Sequence, residues 1–267
     1  MMAGIESLDP GVLLLVLLGG FLAGWVDAVV GGGGLIQLPV VLMVPGITPV
    51  QALATNKLGS LFGTSTSAIT YFRRTTTPLK PSLPMAAVAF CGSFGGAIVA
   101  SSLPQAVFKP VILLALVAVA AFTVLRPDAG QLHQPTTSER TALLRSTILG
   151  LVIGFYDGVL GPGTGSFLII GLITLLGQSF LRASAQAKVA NMATNLGALA
   201  FFGLHGSILW ALGLLLGLAN MAGGYTGARS AVAKGNGFVR VVFLAVVSML
   251  IIKTGWDVWQ DLVLGRN

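Results

Sequence analysis

Charged residues make up only 9% of this 267-residue chain, against about 25% in ordinary soluble domains. So few ionic groups cannot cover a water-facing surface, and water is not its main solvent. Cysteine is nearly absent: Cys91 is the single one, which excludes an intrachain disulfide and suggests a small packing residue in an apolar, glycine-rich stretch. Histidine is limited to His133 and His205, which have no metal-like spacing and no Cys or carboxylate cluster around them, so no metal site is expected. A phosphate-binding P-loop is missing, which argues against ATP-driven work by this chain alone, and no cofactor is expected. The leader 1–10 carries Glu6 and Asp9 but no Lys or Arg, and a glycine run stands where a small-x-small cleavage site would be. A cleavable signal is therefore not expected.

What is abundant points the same way. Hydrophobic residues form 55% of the chain and mean hydropathy is +0.91. Apolar runs recur end to end, so the helices must turn nonpolar faces to lipid. Stretches 111–124 and 241–252 are nearly continuously hydrophobic, whereas a membrane β-barrel would alternate polar and apolar residues with a period of two. The expected class is all-α: a polytopic helical membrane protein with the lipid bilayer as a partner. Net charge is +7 with a pI near 10.1. In a soluble protein that would suggest nucleic acid. In a membrane protein Lys and Arg collect in cytoplasmic loops, and no nucleic-acid partner is expected.

Shifting the chain on itself by 130 or 131 residues brings two halves into register. Gly24-Trp25-Val26-Asp27 meets Gly154-Phe155-Tyr156-Asp157, Gly31 and Gly33 meet Gly161 and Gly163, Lys57 meets Lys188, and Phe108 meets Phe238. The run Gly92-Ser93-Phe94-Gly95-Gly96-Ala97 meets Gly223-Gly224-Tyr225-Thr226-Gly227-Ala228. An Asp and a Lys recurring at equivalent depths carry more weight than glycines in a glycine-rich chain. The expected organisation is a membrane repeat at 1–125, a polar cytoplasmic linker at 126–141 and a second membrane repeat at 142–267.

Each half parses into a broken apolar segment and three full-length ones. The first has its broken segment at 12–44, interrupted at Gly31 to Gly34, with spans near 49–71, 84–103 and 107–125. The second breaks at Gly161 to Gly165, with spans near 180–204, 208–230 and 238–258. If each broken segment is a re-entrant hairpin, each half crosses three times and the second half is inverted relative to the first. Arg73, Arg74, Lys80, Arg126, Arg140, Arg145, Arg182, Arg229, Lys234 and Arg240 then share one side, with Lys109 and Arg266 as exceptions and Lys253 near a helix end. A single crossing would scatter the same residues over both faces, so the positive-inside rule favours the re-entrant reading. Both termini then lie outside the cytoplasm and the basic linker inside.

Unwound backbone at membrane depth is tolerated only inside protein or beside water, which makes the glycine breaks a candidate site. In inverted-repeat transporters half-helix N-termini turn partial positive charge toward an anion near the midplane. Gly33, Gly34, Gly163 and Gly165 shape the breaks, and Thr164 and Ser166 are candidate caps or hydroxyl donors. The competing reading is that such glycines merely permit close helix packing. Lys57 and Lys188 fall about eight residues into their spans, roughly 12 Å deep. Converging from opposite sides, two ammonium groups would hold an anion, with Thr55, Asn56, Asn191 and Asn195 as neutral donors. Asp27 and Asp157 carry two readings: structural ion pairs with the lysines, or carboxylates that bind and release a proton to couple transport. Trp25 and Tyr156 either line the pathway or pack. Trp256, Trp259 and Trp210 fit an interfacial aromatic belt. An intramembrane aspartyl protease would need Gly-x-Gly-Asp, and the first half offers Gly24-Trp25-Val26-Asp27.

The combination Gly24-x-x-Asp27-x-x-x-Gly31-Gly32-Gly33-Gly34, Thr55-Asn56-Lys57, Gly154-Phe155-Tyr156-Asp157-Gly158-x-x-Gly161-Pro162-Gly163-Thr164-Gly165-Ser166 and Lys188-x-x-Asn191-x-x-x-Asn195 resembles the TauE/SafE family of membrane proteins over nearly the whole chain. The resemblance implies a multi-pass permease of a bacterial or archaeal inner membrane, with members linked to export or uptake of sulfite, sulfoacetate and other organosulfonates. The expectation is a secondary transporter, not an enzyme, that moves a small sulfur-containing oxyanion by alternating exposure of a midplane site. The alternatives are another substrate, such as a carboxylate or a metal ion held by Asp27 and Asp157, or a channel-like, non-transporting membrane component. A small anionic substrate is the expected partner, and a homodimer is compatible with it.

Overall fold

The computed structural model describes residues 10–75, 77, 79–80, 82–102 and 138–264. Every regular element among them is a helix: α1 (Pro10–Val30), α2 (Gly34–Leu42), α3 (Pro49–Arg74), α4 (Ser82–Ala100), α5 (Glu139–Val159), α6 (Thr164–Leu176), α7 (Phe180–Leu204) and α8 (Trp210–Leu264). The all-α expectation holds for these residues. The span expected at 107–125, and nearly all of the linker expected at 126–141, lie outside them. α1, α4 and α5 are long and apolar enough to cross a membrane. α3 and α7, at 26 and 25 residues, have the length but carry polar side chains that are buried.

Local chemistry sets the boundaries. Thr48 caps α3 in a reciprocal box with Gln51, and Pro49 occupies the first turn, where its missing N–H costs nothing. Ser138 and Ser179 cap α5 and α7 by accepting from the backbone N–H of Thr141 and Arg182. The two expected breaks are real: α1 stops at Val30 and α5 at Val159, and Gly31 and Gly161 follow with φ of 81° and 83°, a left-handed backbone that favours glycine. The spans expected near 208–230 and 238–258 are present as the two helical parts of α8 (Trp210–Leu264), which meet at a kink at Gly235 with φ 74° and ψ −169°, a backbone that favours glycine. One expectation is corrected: Cys91 is not a packing residue but exposed. Its neighbours Gly92 and Ser93 face α5 and α7 instead, which turns Cys91 outward.

Packing inverts the logic of a soluble protein. Leu14, Leu18 and Leu22 on α1, and Leu144, Ile148 and Val152 on α5, form exposed apolar stripes with a four-residue spacing. Gln37, Thr55, Asn56, Lys57, Gln186 and Lys188 are buried. An outward apolar face around an inward polar one suits a hydrocarbon solvent.

The helices of the two halves interleave. α1 packs on α8 and α4 on α5; α3 packs on α8 and α4 on α7; and α3 meets α7. Under the sequence offset α1 corresponds to α5, α3 to α7 and α4 to the first part of α8, so each of these packings has its counterpart. α1 runs alongside α8 in the same direction, with Gly20 by Leu216, Gly24 by Asn220 and Gly227 by Trp25 and Ala28. α4 runs likewise beside α5, with Met85 by Gly150, Ala89 by Gly154 and Ser93 by Gly158. At Gly154 a Cβ would fall 2.5 Å from the Ala89 carbonyl oxygen; small residues let helix backbones approach this closely in membranes.

Both broken segments are hairpins. α2 returns along α1, bringing Gly33 against Ala23 and Asp27 and Val40 against Gly19. α6 returns along α5, bringing Gly171 against Leu149, and the Arg145 guanidinium donates to the Leu175 carbonyl at 3.0 Å. The hairpin tips touch, with the Ser166 N–H donating to the Gly31 carbonyl at 3.2 Å.

Candidate functional site

Where the tips meet, α3 and α7 each deliver a lysine to the opposite half. The Lys57 ammonium donates to the Asp157 carboxylate at 2.5 Å and to the Asp157 main-chain carbonyl at 2.7 Å. The Lys188 ammonium donates to the Asp27 carboxylate at 2.8 Å and also to the Asp27 carbonyl. Each lysine therefore neutralises a carboxylate and ties off a carbonyl at the end of a broken helix. Removing one partner would strand a buried charge, at a cost of about 3–5 kcal/mol. The ion-pair reading of Asp27 and Asp157 thus describes their geometry.

A cavity lies among Asp27, Asn56, Lys57, Ser60, Thr64, Asp157, Thr164, Asn191 and Asn195, floored by Gly31, Gly34, Gly161 and Gly165. The room it leaves for the centre of a water molecule is about 20 Å³, on the order of one or two waters. Its polar lining is only partly satisfied: the buried Oδ1 of Asn56 has no hydrogen-bond partner. A buried amide oxygen facing a polar cavity without a partner is placed to accept a hydrogen bond from what enters it.

The other residues marked in the sequence divide into two groups. Asn56, Asn191, Asn195, Gly34, Thr164 and Gly165 line the cavity, with Asn195 donating to Thr64 Oγ1 at 3.4 Å. Neither Thr164 nor Ser166 caps a helix, because Gly163 occupies the N-cap of α6 with φ 84°. Their hydroxyls are donors instead: Thr164 to the Asp157 carboxylate at 2.6 Å and Ser166 to the Val30 carbonyl at 2.8 Å. Thr55, Gly33, Gly163, Ser166, Lys188, Trp25 and Tyr156 are not among the lining residues. Thr55 accepts from the Leu209 N–H at 3.2 Å, at the entry to α8. Trp25 packs edge-on against Phe238, and Tyr156 packs against Phe167 and donates to the Pro162 carbonyl at 2.7 Å.

Sequence reasoning missed Ser60 and Thr64, although the signal was present. The offset that superposes Lys57 on Lys188 carries Ser60 onto Asn191 and Thr64 onto Asn195. These positions stand three and seven residues beyond each lysine, on the face of the helix that carries it. Gln37 was missed too. Its amide donates to the Asn56 carbonyl at 3.1 Å and accepts from Asn220, which braces α2, α3 and α8 behind the cavity.

A buried polar cavity at two broken-helix tips suits solute passage, and the comparisons agree. A family model described as "Sulfite exporter TauE/SafE" matches residues 16–254. The chain belongs to the TauE/SafE family. Its relatives include a Sinorhizobium protein named as a probable membrane transporter, ORF9, 39% identical over 93% of this chain and 94% of that one. A Haemophilus influenzae probable membrane transporter is 33% identical over 94% of this chain and 98% of its own. The Escherichia coli K12 probable membrane transporter YfcA is 32% identical over 95% and 92%. No solved structure matches the chain. As a TauE/SafE protein with apolar helices, this chain is a membrane transporter. Among its described residues no three His, Cys, Asp or Glu side chains are grouped to hold a metal.

Proposed function

We propose that this TauE/SafE protein is a secondary transporter of small sulfur-containing oxyanions, sulfite or an organosulfonate, in a bacterial or archaeal inner membrane. The observation that carries the reading is the Lys57 ammonium on a polar cavity that is also lined by Asn56, Ser60, Thr64, Asn191 and Asn195. Ammonium, hydroxyl and amide donors on one small space match the several acceptor oxygens of a sulfonate or sulfite group. A cation would meet the Lys57 ammonium, whose third N–H is left for an oxyanion after the two given to Asp157. The engagement of both carboxylates by lysines argues against an aspartyl protease, whose two carboxylates work on one another's protons. The sulfur assignment leans on the family description.

The proposed architecture is two inverted repeats, each a re-entrant hairpin followed by three crossings. Helix directions support it. α1, α3 and the first part of α8 run the same way, and α4 begins a few residues after α3 ends, so it starts at the opposite face. α5 runs with α4. The two hairpins then enter from opposite faces, and Arg73, Arg74, Lys80, Arg140, Arg145, Arg182, Arg229 and Lys234 gather at one end, as the positive-inside rule requires of a cytoplasmic face. Alternating access is the opening of the cavity first to one side and then to the other as the repeats rock about the touching tips.

The test is flux in proteoliposomes with sulfite, sulfoacetate, sulfate and acetate for the wild type, Lys57→Ala and Lys188→Ala, each checked for monodisperse elution. Saturable sulfite or sulfonate flux that either lysine variant loses is the expected result. Normal flux in folded lysine variants would remove the lysines from the site. Absence of flux for every anion would remove the anion-transport reading.

A further inference from the structure

The two Lys–Asp pairs occupy equivalent positions but are not built alike. Both oxygens of the Asp157 carboxylate are held, Oδ2 by Lys57 at 2.5 Å and Oδ1 by the Thr164 hydroxyl at 2.6 Å. The single Thr164 hydroxyl proton is shared between that carboxylate and the Gly161 carbonyl, 2.7 Å away. Asp27 has its ammonium, Lys188 on Oδ2, and no hydroxyl counterpart among the described residues. Thr164 follows Asp157 by seven residues, and the residue seven beyond Asp27 is Gly34. The gap is not forced by crowding: a Cβ at Gly34 would find its nearest neighbour, Pro162 Cα, at 3.4 Å. The Asp27 side chain is 13% exposed, towards the cavity it lines, while that of Asp157 is 5% exposed.

Resting on the anion-transport reading above, we propose that the pairs divide the work: Lys57–Asp157 stays closed as a fixed post, and Lys188–Asp27 is the pair that parts. Separating a buried pair is costly, and a charge-assisted hydrogen bond on the second oxygen makes it costlier. The pair without that bond opens first. Its carboxylate already faces the cavity and can swing towards the amides of Asn56 and Asn191. Lys188, whose side chain is fully buried behind Asp27 in the closed state, then presents its ammonium to the incoming oxyanion beside Lys57. Substrate entry and the opening of one half-site become a single event, and the two otherwise symmetric halves acquire a fixed and a moving side.

The pair's mobility is read by labelling the wild-type protein in proteoliposomes with dicyclohexylcarbodiimide, an apolar carboxyl reagent, and quantifying modified Asp27 and Asp157 by peptide mass spectrometry. Faster labelling of Asp27, by roughly ten-fold, is expected from the loss of one charge-assisted hydrogen bond. Equal labelling, or faster labelling of Asp157, overturns the proposal. Gly34→Ser restores the missing hydroxyl and Gly34→Ala supplies the same Cβ without it. Sulfite flux and Asp27 labelling are expected to be several-fold lower in Gly34→Ser than in Gly34→Ala, and identical values in the two overturn the proposal. Should the wild type move no sulfite, the transport reading fails while the labelling ratio still decides the inequality of the pairs. Should Gly34→Ser not fold, the wild-type ratio decides it.

Discussion

Gly31 and Gly165 meet backbone to backbone: a Cβ on Gly31 would lie 2.5 Å from the Gly165 Cα. The contact joins the tips of two hairpins that are 134 residues apart in the chain, and it brings the glycine breaks, Asp27 and Asp157 together around one cavity.

Gly165→Ala and Gly31→Ala are therefore expected to destabilise the protein by about 1–3 kcal/mol or more through overpacking of backbone on backbone. Gly31→Ala is the worse of the two because its φ of 81° is left-handed. Thermal unfolding in detergent, followed by monodisperse elution, measures this. An unchanged midpoint for Gly165→Ala would refute the close approach.

Lys57 and Asp157 are expected to be strongly coupled. Lys57→Met or Asp157→Leu alone strands a buried charge and costs about 3–5 kcal/mol, whereas the double variant recovers much of that loss. Transport is expected to vanish in all three. Additive thermal shifts would show that the two side chains do not form a pair.

Ser60→Ala and Thr64→Val remove hydroxyls from the cavity wall without removing charge. A hydrogen bond to a charged group is worth about 1.5–3 kcal/mol, so each change is expected to raise the half-saturating sulfite concentration roughly ten-fold. The maximal rate should be less affected. Unaltered sulfite saturation curves would take these residues out of the site.

Gln37→Leu leaves the buried Asn220 amide and Asn56 carbonyl without their partner. An expected loss of about 1–3 kcal/mol follows from buried polar groups left unsatisfied, read as a lower thermal midpoint. A neutral effect would mean that this brace is replaceable.

Topology is open to labelling in a Cys91→Ala background. Glu139→Cys, at the start of α5, and Pro45→Cys, beyond the end of α2, are both exposed. A membrane-impermeant maleimide is expected to reach the first from the cytoplasmic face and the second from the opposite face. Reaction of both from one side would exclude the inverted arrangement.

Much of this molecule was legible before any coordinates. Glycine runs flanked by apolar residues announced the two breaks, because left-handed backbone leaves a compositional trace. Lys57, Lys188, Asp27 and Asp157 stood out because ionisable groups are rare in apolar segments. Ser60 and Thr64 were passed over because a hydroxyl in a helix is commonplace; it becomes informative only when the repeat lays it upon Asn191 and Asn195. The two spans that make up α8 were legible as separate apolar stretches, and the kink between them falls at Gly235.

By itself, then, the sequence determined solvent and material: too little charge for water, a doubled pattern, and lysines and aspartates at matching depths. That information is local, held in composition and spacing. Which lysine meets which aspartate was decided only by tertiary structure, since both pairs cross between halves through contacts about a hundred residues or more apart in the chain. The unequal footing of those pairs is shared between sequence and structure: the sequence puts Thr164 and Gly34 at matching positions, seven residues beyond Asp157 and Asp27, and only the fold brings that position within reach of the carboxylate.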